Sequence, residues 1–151
     1  MISATSRRVP EHTAAHVNAL VREQTEQSLR YHAAHPEEIG ERLRALDREW
    51  DIERALDANA ASYSLFGLTL ALTHDRRWIA LPIGVAAFLL QHAVQGWCPP
   101  VPVLRRFGFR TAGEIAEERY ALKAMRGDFI ELASGGDPDA RARRAIAAAR
   151  H

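Results

Sequence analysis

The 151-residue sequence holds a single cysteine, Cys98, so no intrachain disulfide can form. A small secreted domain stapled by disulfides is thereby excluded. Neither sign of charge is in excess: 20 Lys and Arg stand against 19 Asp and Glu, for a net charge of +1. That balance lacks the long-range attraction of a dedicated nucleic-acid binder, and no nucleic-acid partner is expected. Residues Met1–Leu20 carry Arg7 and Arg8 with no continuous apolar stretch behind them, so no secretory signal peptide is expected either. HExxH, a glycine-rich phosphate loop, a nucleophile elbow and zinc-ribbon spacing are all missing. Neither a metal nor a cofactor is expected, and an enzymatic role is less expected than a structural one.

Apolar residues make up 47% and charged residues 26% of the chain, an ordinary globular balance, so any part of it in lipid is a minority. The charge is nevertheless unevenly spread. From Ala58 to Thr73 (ANAASYSLFGLTLALT) no residue is charged, and from Trp78 to Cys98 (WIALPIGVAAFLLQHAVQGWC) none is charged again. His74-Asp75-Arg76-Arg77 lies between the two runs, and Pro99, Pro100 and Pro102 follow the second. Two uncharged runs, a short polar connector and a proline stop predict a helical hairpin.

At about 1.5 Å per residue the second run reaches roughly 30 Å, the thickness of a bilayer's hydrocarbon core. The first run is shorter, and Arg54 ahead of it lengthens it in effect by snorkelling to the interface. Trp78 and Trp97 bracket the second run where an aromatic belt would place them. Small residues recur on one face of each helix: Ala60, Ser64, Gly67 and Ala71 in the first, Ala80, Gly84 and Ala87, continued by Gln91, in the second. Such faces let helices approach closely in lipid. The alternative is a buried hairpin inside a soluble helical interaction protein, favoured by Asn59, Ser62, Ser64 and Thr69. Arg44, Arg48, Arg54, Arg105, Arg106 and Arg110 flank the outer ends, against Arg76 and Arg77 in the turn, which predicts both termini in the cytoplasm.

Around the hairpin the pattern is amphipathic. Residues 1–10 read as a frayed end. Glu11 to about Ala34 carries a thin apolar line, Val17, Leu20, Val21 and Leu29, and His35-Pro36 breaks it. Pro36, Glu37 and Glu38 suit a helix start, and Ile39, Leu43, Leu46 and Trp50 share one face after it. Thr111-Ala-Gly-Glu114 is a capping box, and Gly127 suits the closing C′ position of the helix it opens. The apolar line of that helix is Ile115, Leu122, Met125 and Phe129. Ser134-Gly-Gly-Asp-Pro138 reads as a linker. The expected architecture is all-α: N-terminal amphipathic helices over 1–57, a two-helix transmembrane hairpin over 58–98, a juxtamembrane amphipathic helix over 99–133, and a flexible Ala/Arg-rich tail over 134–151.

The stretch QHAVQGWCPPVPVLRRFGFRT resembles the end of the YgaP-like transmembrane domain, a small bacterial inner-membrane family. Its two-helix hairpin ends in a Gly-aromatic-Cys-Pro motif and a short amphipathic piece, matched here by Gly96, Trp97, Cys98, Pro99, Leu104 and Gly108. The similarity covers about residues 50–115. It implies a homodimeric hairpin in the bacterial inner membrane, linked to sulfur or thiocyanate handling. In that family the hairpin is often joined to a rhodanese sulfurtransferase domain. This sequence has no such domain, which makes a sulfurtransferase-type partner the expectation rather than an activity of the chain itself.

Few residues offer chemistry. Cys98 is the candidate thiol; at neutral pH a thiolate needs a nearby cation, for which His92, Arg105 and Arg106 are the choices. The plain alternative is an interfacial cysteine that ends a helix. Gln91, His92 and Gln95 are polar positions within an apolar helix, either interhelical contacts or a polar track for a small anion or proton. His12 with His16, and His32 with His35, share helix faces but read as surface histidines. Asp47, Glu49, Asp51 and Glu53 read as a solvated, salt-bridged face, and Arg126-Gly127-Asp128 as a cap. The expected role is a non-enzymatic, dimerising membrane anchor or scaffold. A minimal anion conduit or interfacial thiol protein is the further alternative.

Overall fold

The computed structural model describes residues 8–130 and 137–150. The frayed end before Arg8 and the linker residues Ser134, Gly135 and Gly136 lie outside the described residues. Those described are all-α, with no strand among them. In order they form α1 (Arg8–Glu11), α2 (Ala15–Ala34), α3 (Ile39–Arg48), α4 (Ile52–Thr73), α5 (Ala80–Gln95), α6 (Pro100–Arg106), α7 (Ala112–Arg126) and α8 (Pro138–Arg150). Two 3₁₀ turns, Pro36–Glu38 and Arg76–Ile79, lead into α3 and α5. The chain gathers into two compact units, Met1–Glu23 with Trp50–Ile115, and Gln24–Glu49 with Ala116–His151.

The first unit is built on the hairpin. Asp51 caps α4, its carboxylate accepting the Arg54 N–H at 2.7 Å, which satisfies one of the orphan donors of the first turn. The helix therefore starts six residues before the uncharged run does. At the far end Asp75 accepts the Arg77 N–H at 2.8 Å and starts the turn into α5. Gly96 closes α5 in the left-handed region, φ +73°, where a residue without Cβ carries no steric penalty. Pro100, at the start of α6, needs no N–H there.

The two long helices meet at Gly67. A Cβ built on it would lie 2.7 Å from Pro82 Cδ and 3.1 Å from Leu81 Cβ, so only glycine allows the approach. Ala60 and Gly67 are buried, and Ser64 and Ala71 half-buried, as the small-residue face of α4 requires. The second face differs from expectation. Ala80 and Ala87 are exposed, and a Cβ on Gly84 would meet nothing within 4 Å. Helix α5 instead turns Leu81, Val85, Leu89 and His92 inward, spaced at i, i+4, i+8 and i+11, so bulk from one helix fills the groove left by small residues on the other.

Most of the hairpin's apolar surface has none of its own chain over it. Leu65, Leu72, Ile83, Leu90 and Val94 are 61–88% exposed, and Phe66, Ile79 and Phe88 are about half exposed. Two membrane-spanning helices were the expectation, and here the structure corrects it: one helical stretch, Arg76–Gln95 with a mean hydropathy of 1.4, is long and apolar enough to cross a membrane among the described residues. Asp57, Asn59, Ser62, Ser64, Thr69 and Thr73 dilute α4 below that mark. Four of its exposed polar side chains bond back to their own helix: Asn59, Ser62, Thr69 and Thr73 each donate to the carbonyl four residues back, at 2.7–2.9 Å.

The second unit is a small helical packing around Ile39, Leu43, Leu46 and Leu122, all buried. Trp50, expected on the same face, is 46% exposed because α3 stops at Arg48, and Arg54 lies 4.4 Å over its ring. Glu118 is fully buried and accepts from Ser28 Oγ at 2.6 Å and from Arg42 Nε and Nη2 at 2.8 and 3.0 Å. His32, expected at the surface, is buried against this network, its Nδ1 2.7 Å from Ser28 O. Gly127 at φ +91° closes α7 as expected, and the Arg126–Asp128 ion pair gives the Arg-Gly-Asp tripeptide its plain structural role. The Ala/Arg-rich tail is helical from Pro138.

Overpacking a tight helix contact costs about 1–3 kcal/mol. We therefore expect Gly67→Val to lower the thermal midpoint of the helical signal in detergent, and Gly84→Ala to leave it unchanged or slightly raised. Equal effects of the two would contradict the packing described.

Candidate functional site

Chemistry-bearing side chains gather where the hairpin's open end meets α6. His92, on the inward face of α5, is buried, and its Nε2 lies 2.8 Å from Glu53 Oε2 in the first turn of α4. A carboxylate only accepts, so the shared proton sits toward His92 Nε2. The Nδ1 of the same ring is buried with no partner among the described residues. Gln91 is half-buried and Gln95 exposed, so of the three polar positions only His92 is drawn into the helix contact.

Cys98 is 2% exposed and packs with Val9, Ile52, Leu56 and Val101. Burial is the main cause that pushes its thiol above the usual range; the Glu53 charge adds to this, and the Val101 backbone hydrogen bond works against it. A neutral thiol in an apolar cluster is a poor nucleophile. The cations proposed to activate it are engaged elsewhere or turned away. Arg105 is buried and forms a two-pronged ion pair with Glu114 at 2.6 and 2.8 Å, while its remaining contacts go to Phe109 O at 3.1 Å and Asn18 Oδ1 at 2.9 Å. Arg106 is exposed.

The Arg105–Glu114 pair also completes the capping box. Glu114 Oε2 accepts the Thr111 N–H at 2.8 Å, and Thr111 Oγ1 accepts the Glu114 N–H at 3.2 Å. Burial by itself would raise the Glu114 pKa, but the hydrogen bonds from Arg105 and Thr111 outweigh it and hold the carboxyl below its ordinary 4.5. The cap is readable from Thr111-x-x-Glu114. The use of the same carboxylate to hold a buried arginine is not.

An apolar groove of about 310 Å³ opens beside Cys98 between α4, α5 and α6. Its walls are Leu56 and Ala60 from α4, Val85 and Leu89 from α5, and Val103 and Leu104 from α6, with Asn59 and Tyr63 the hydrogen-bonding groups on it. Volume and lining are those of a small apolar ligand site with few polar anchors. No cluster of three His, Cys, Asp or Glu that could hold a metal occurs among the described residues. No protein-family model, curated protein or solved structure matches the chain. The YgaP-like resemblance thus rests on its six motif residues. Of these, the structure puts Gly96 at the α5 cap, Cys98 in the buried cluster, and Leu104 in the groove wall.

Two outcomes follow. Alkylation of Cys98 by iodoacetamide at pH 8 should be at least about tenfold slower in the folded protein than in denaturant; equal rates would contradict the buried thiol. Because the folded pKa of Glu114 is lowered, its contribution to stability is present above pH 4.5 and lost as the pH falls through the folded value. Glu114→Gln should lower stability at pH 7 and flatten its dependence on pH below 4.5, read by circular dichroism during acid titration.

Proposed function

We propose that this chain is a non-enzymatic membrane anchor and scaffold, whose hairpin enters a bilayer and tethers the helices of the second unit there. The observation that supports it is the uncovered apolar surface of α4 and α5. Soluble monomers rarely expose contiguous apolar patches beyond a few hundred Å², whereas the core hairpin of a soluble bundle would carry Leu72, Leu90 and Val94 inside. The bonds of Asn59, Ser62, Thr69 and Thr73 to their own helix backbone add support, because lipid offers no partners to polar groups. The one stretch apolar enough to cross is Arg76–Gln95, and α4 packs against it at Gly67.

The bacterial inner membrane, a homodimeric state and cytoplasmic termini belong to the same proposal, supported by the YgaP-like motif and by the arginines at the hairpin's outer ends. A sulfurtransferase-type partner rests on that likeness alone. A protonated, buried Cys98 speaks against sulfur transfer by this chain.

The test is a carbonate wash of membranes from expressing cells, then detergent. The protein should stay in the pellet through carbonate and leave only in detergent. An arginine at the centre of a spanning helix costs about 2.5–3.5 kcal/mol on insertion scales, so the double variant Ile83→Arg, Leu90→Arg should move a large share into the carbonate supernatant. Wild-type protein in the supernatant would favour a soluble assembly with the hairpin covered by another copy.

A further inference from the structure

The turn that joins α4 to α5 carries charge that the fold leaves unused. Arg42, Arg105 and Arg119 each reach a carboxylate, at 2.6–2.8 Å. Arg76 and Arg77 are exposed, and neither guanidinium makes a hydrogen bond or ion pair with a described residue. The same holds for the exposed ring of His74. His74, Asp75, Arg77 and Trp78 line a cleft of about 430 Å³, with Ala80 and Leu81 as its apolar wall. Asp75 is the acidic group there, and its Oδ1 is committed to the Arg77 N–H at 2.8 Å as the cap of the turn. One carboxylate against two guanidiniums leaves the turn cationic.

The depth of this cleft follows from the length of the helix behind it. The 20 residues of Arg76–Gln95 rise roughly 30 Å, the thickness of a hydrocarbon core. A hairpin that enters by this turn brings it to the headgroups of the far leaflet. Trp78, 40% exposed and edge-on to Phe66 with ring centroids 6.4 Å apart, is the aromatic side chain suited to that level. The anions found there are phosphates, which a planar guanidinium binds through two parallel hydrogen bonds. We infer that the cleft at the hairpin's turn binds the phosphate of an anionic phospholipid headgroup, through Arg77 and His74, with the charge of Arg76 beside them. The inference rests on the membrane-held reading above and deepens it by naming the lipid chemistry that the turn selects. It also gives a partner to two arginines that, with cytoplasmic termini, stand on the side of the membrane where basic residues are scarce.

The experiment is native mass spectrometry of the full chain in dodecyl maltoside, supplied with equal amounts of dipalmitoyl phosphatidylglycerol and dipalmitoyl phosphatidylcholine. Two basic residues near a lipid surface together favour anionic lipid about thirtyfold, and one about fivefold. The wild-type protein should therefore retain phosphatidylglycerol in preference, Arg77→Gln should cut that preference about fivefold, and Arg76→Gln with Arg77→Gln should remove most of it. The pair Arg76→Lys, Arg77→Lys keeps the charge and should keep the preference for phosphatidylglycerol. Arg141→Gln, on the exposed surface of α8, should change nothing. Inorganic phosphate in excess should leave the lipid bound. Equal retention of the two lipids, a preference untouched by the double glutamine variant, its loss in the lysine pair, an equal loss in Arg141→Gln, or displacement by inorganic phosphate would each overturn the inference. Carbonate extraction of the same proteins separates it from the anchor: a protein that resists carbonate without preferring phosphatidylglycerol is an anchor lacking this site, and release of the wild type by carbonate would overturn both.

Discussion

Leu65, Leu72, Ile83, Leu90 and Val94 impose the constraint on which the rest depends, because the chain folds without covering them. Each exposed large aliphatic side chain forgoes roughly 1.5–3 kcal/mol of transfer free energy in water. A monomer in water would carry that cost along both helices of its longest structural element. The polar groups of α4 are disposed as the same constraint demands. Ser62, Thr69 and Thr73 bond back to their own helix, so the outer surface offers little that water would solvate better than lipid.

Given an uncovered hairpin, the remaining features of the first unit hold its open end together. Gly67 lets α4 and α5 close on each other, and the Glu53–His92 contact ties their ends where the hairpin opens. Arg105 then links α6 to the loop that ends in Thr111 and Glu114, and to Asn18 in the early turns of α2. Both terminal nitrogens of this buried arginine have acceptors, its Nε none among the described residues, and losing one partner of such a pair costs about 3–5 kcal/mol. The side chains that most invited a catalytic reading are thereby accounted for. His92 holds helix ends together, Arg105 holds a cap, and Cys98 packs.

Much of this was legible in the sequence where a signal is local. The paired uncharged runs mark the hairpin, Thr111 and Glu114 mark a cap, Gly127 marks a helix end, and Ile39, Leu43 and Leu46 mark a buried face. The misreadings have physical causes. Trp50 continues the spacing of α3, but Asp51 caps a new helix and breaks the phase before it. Ala80, Gly84 and Ala87 have the spacing of a packing face; which face of α5 packs was decided by the single glycine on α4, against which Leu81 and Pro82 fit better than alanine would. Glu53 and His92 are 39 residues apart, and Arg105 and Glu114 are separated by a loop, so no local periodicity could pair them. The groove depends on three helices at once and leaves no trace in any one.

The most direct test of the central claim is collisional accessibility of spin labels at Leu72, Ile83, Leu90 and Val94, each changed to cysteine in a Cys98→Ala background and reconstituted in phospholipid vesicles. Lipid-facing sites should relax strongly with molecular oxygen and weakly with a water-soluble nickel chelate, most markedly at Ile83 and Leu90 in mid-helix. If the nickel chelate reaches those two positions as readily as an exposed site on α8, the hairpin lies in water, and its apolar surface is there for another protein.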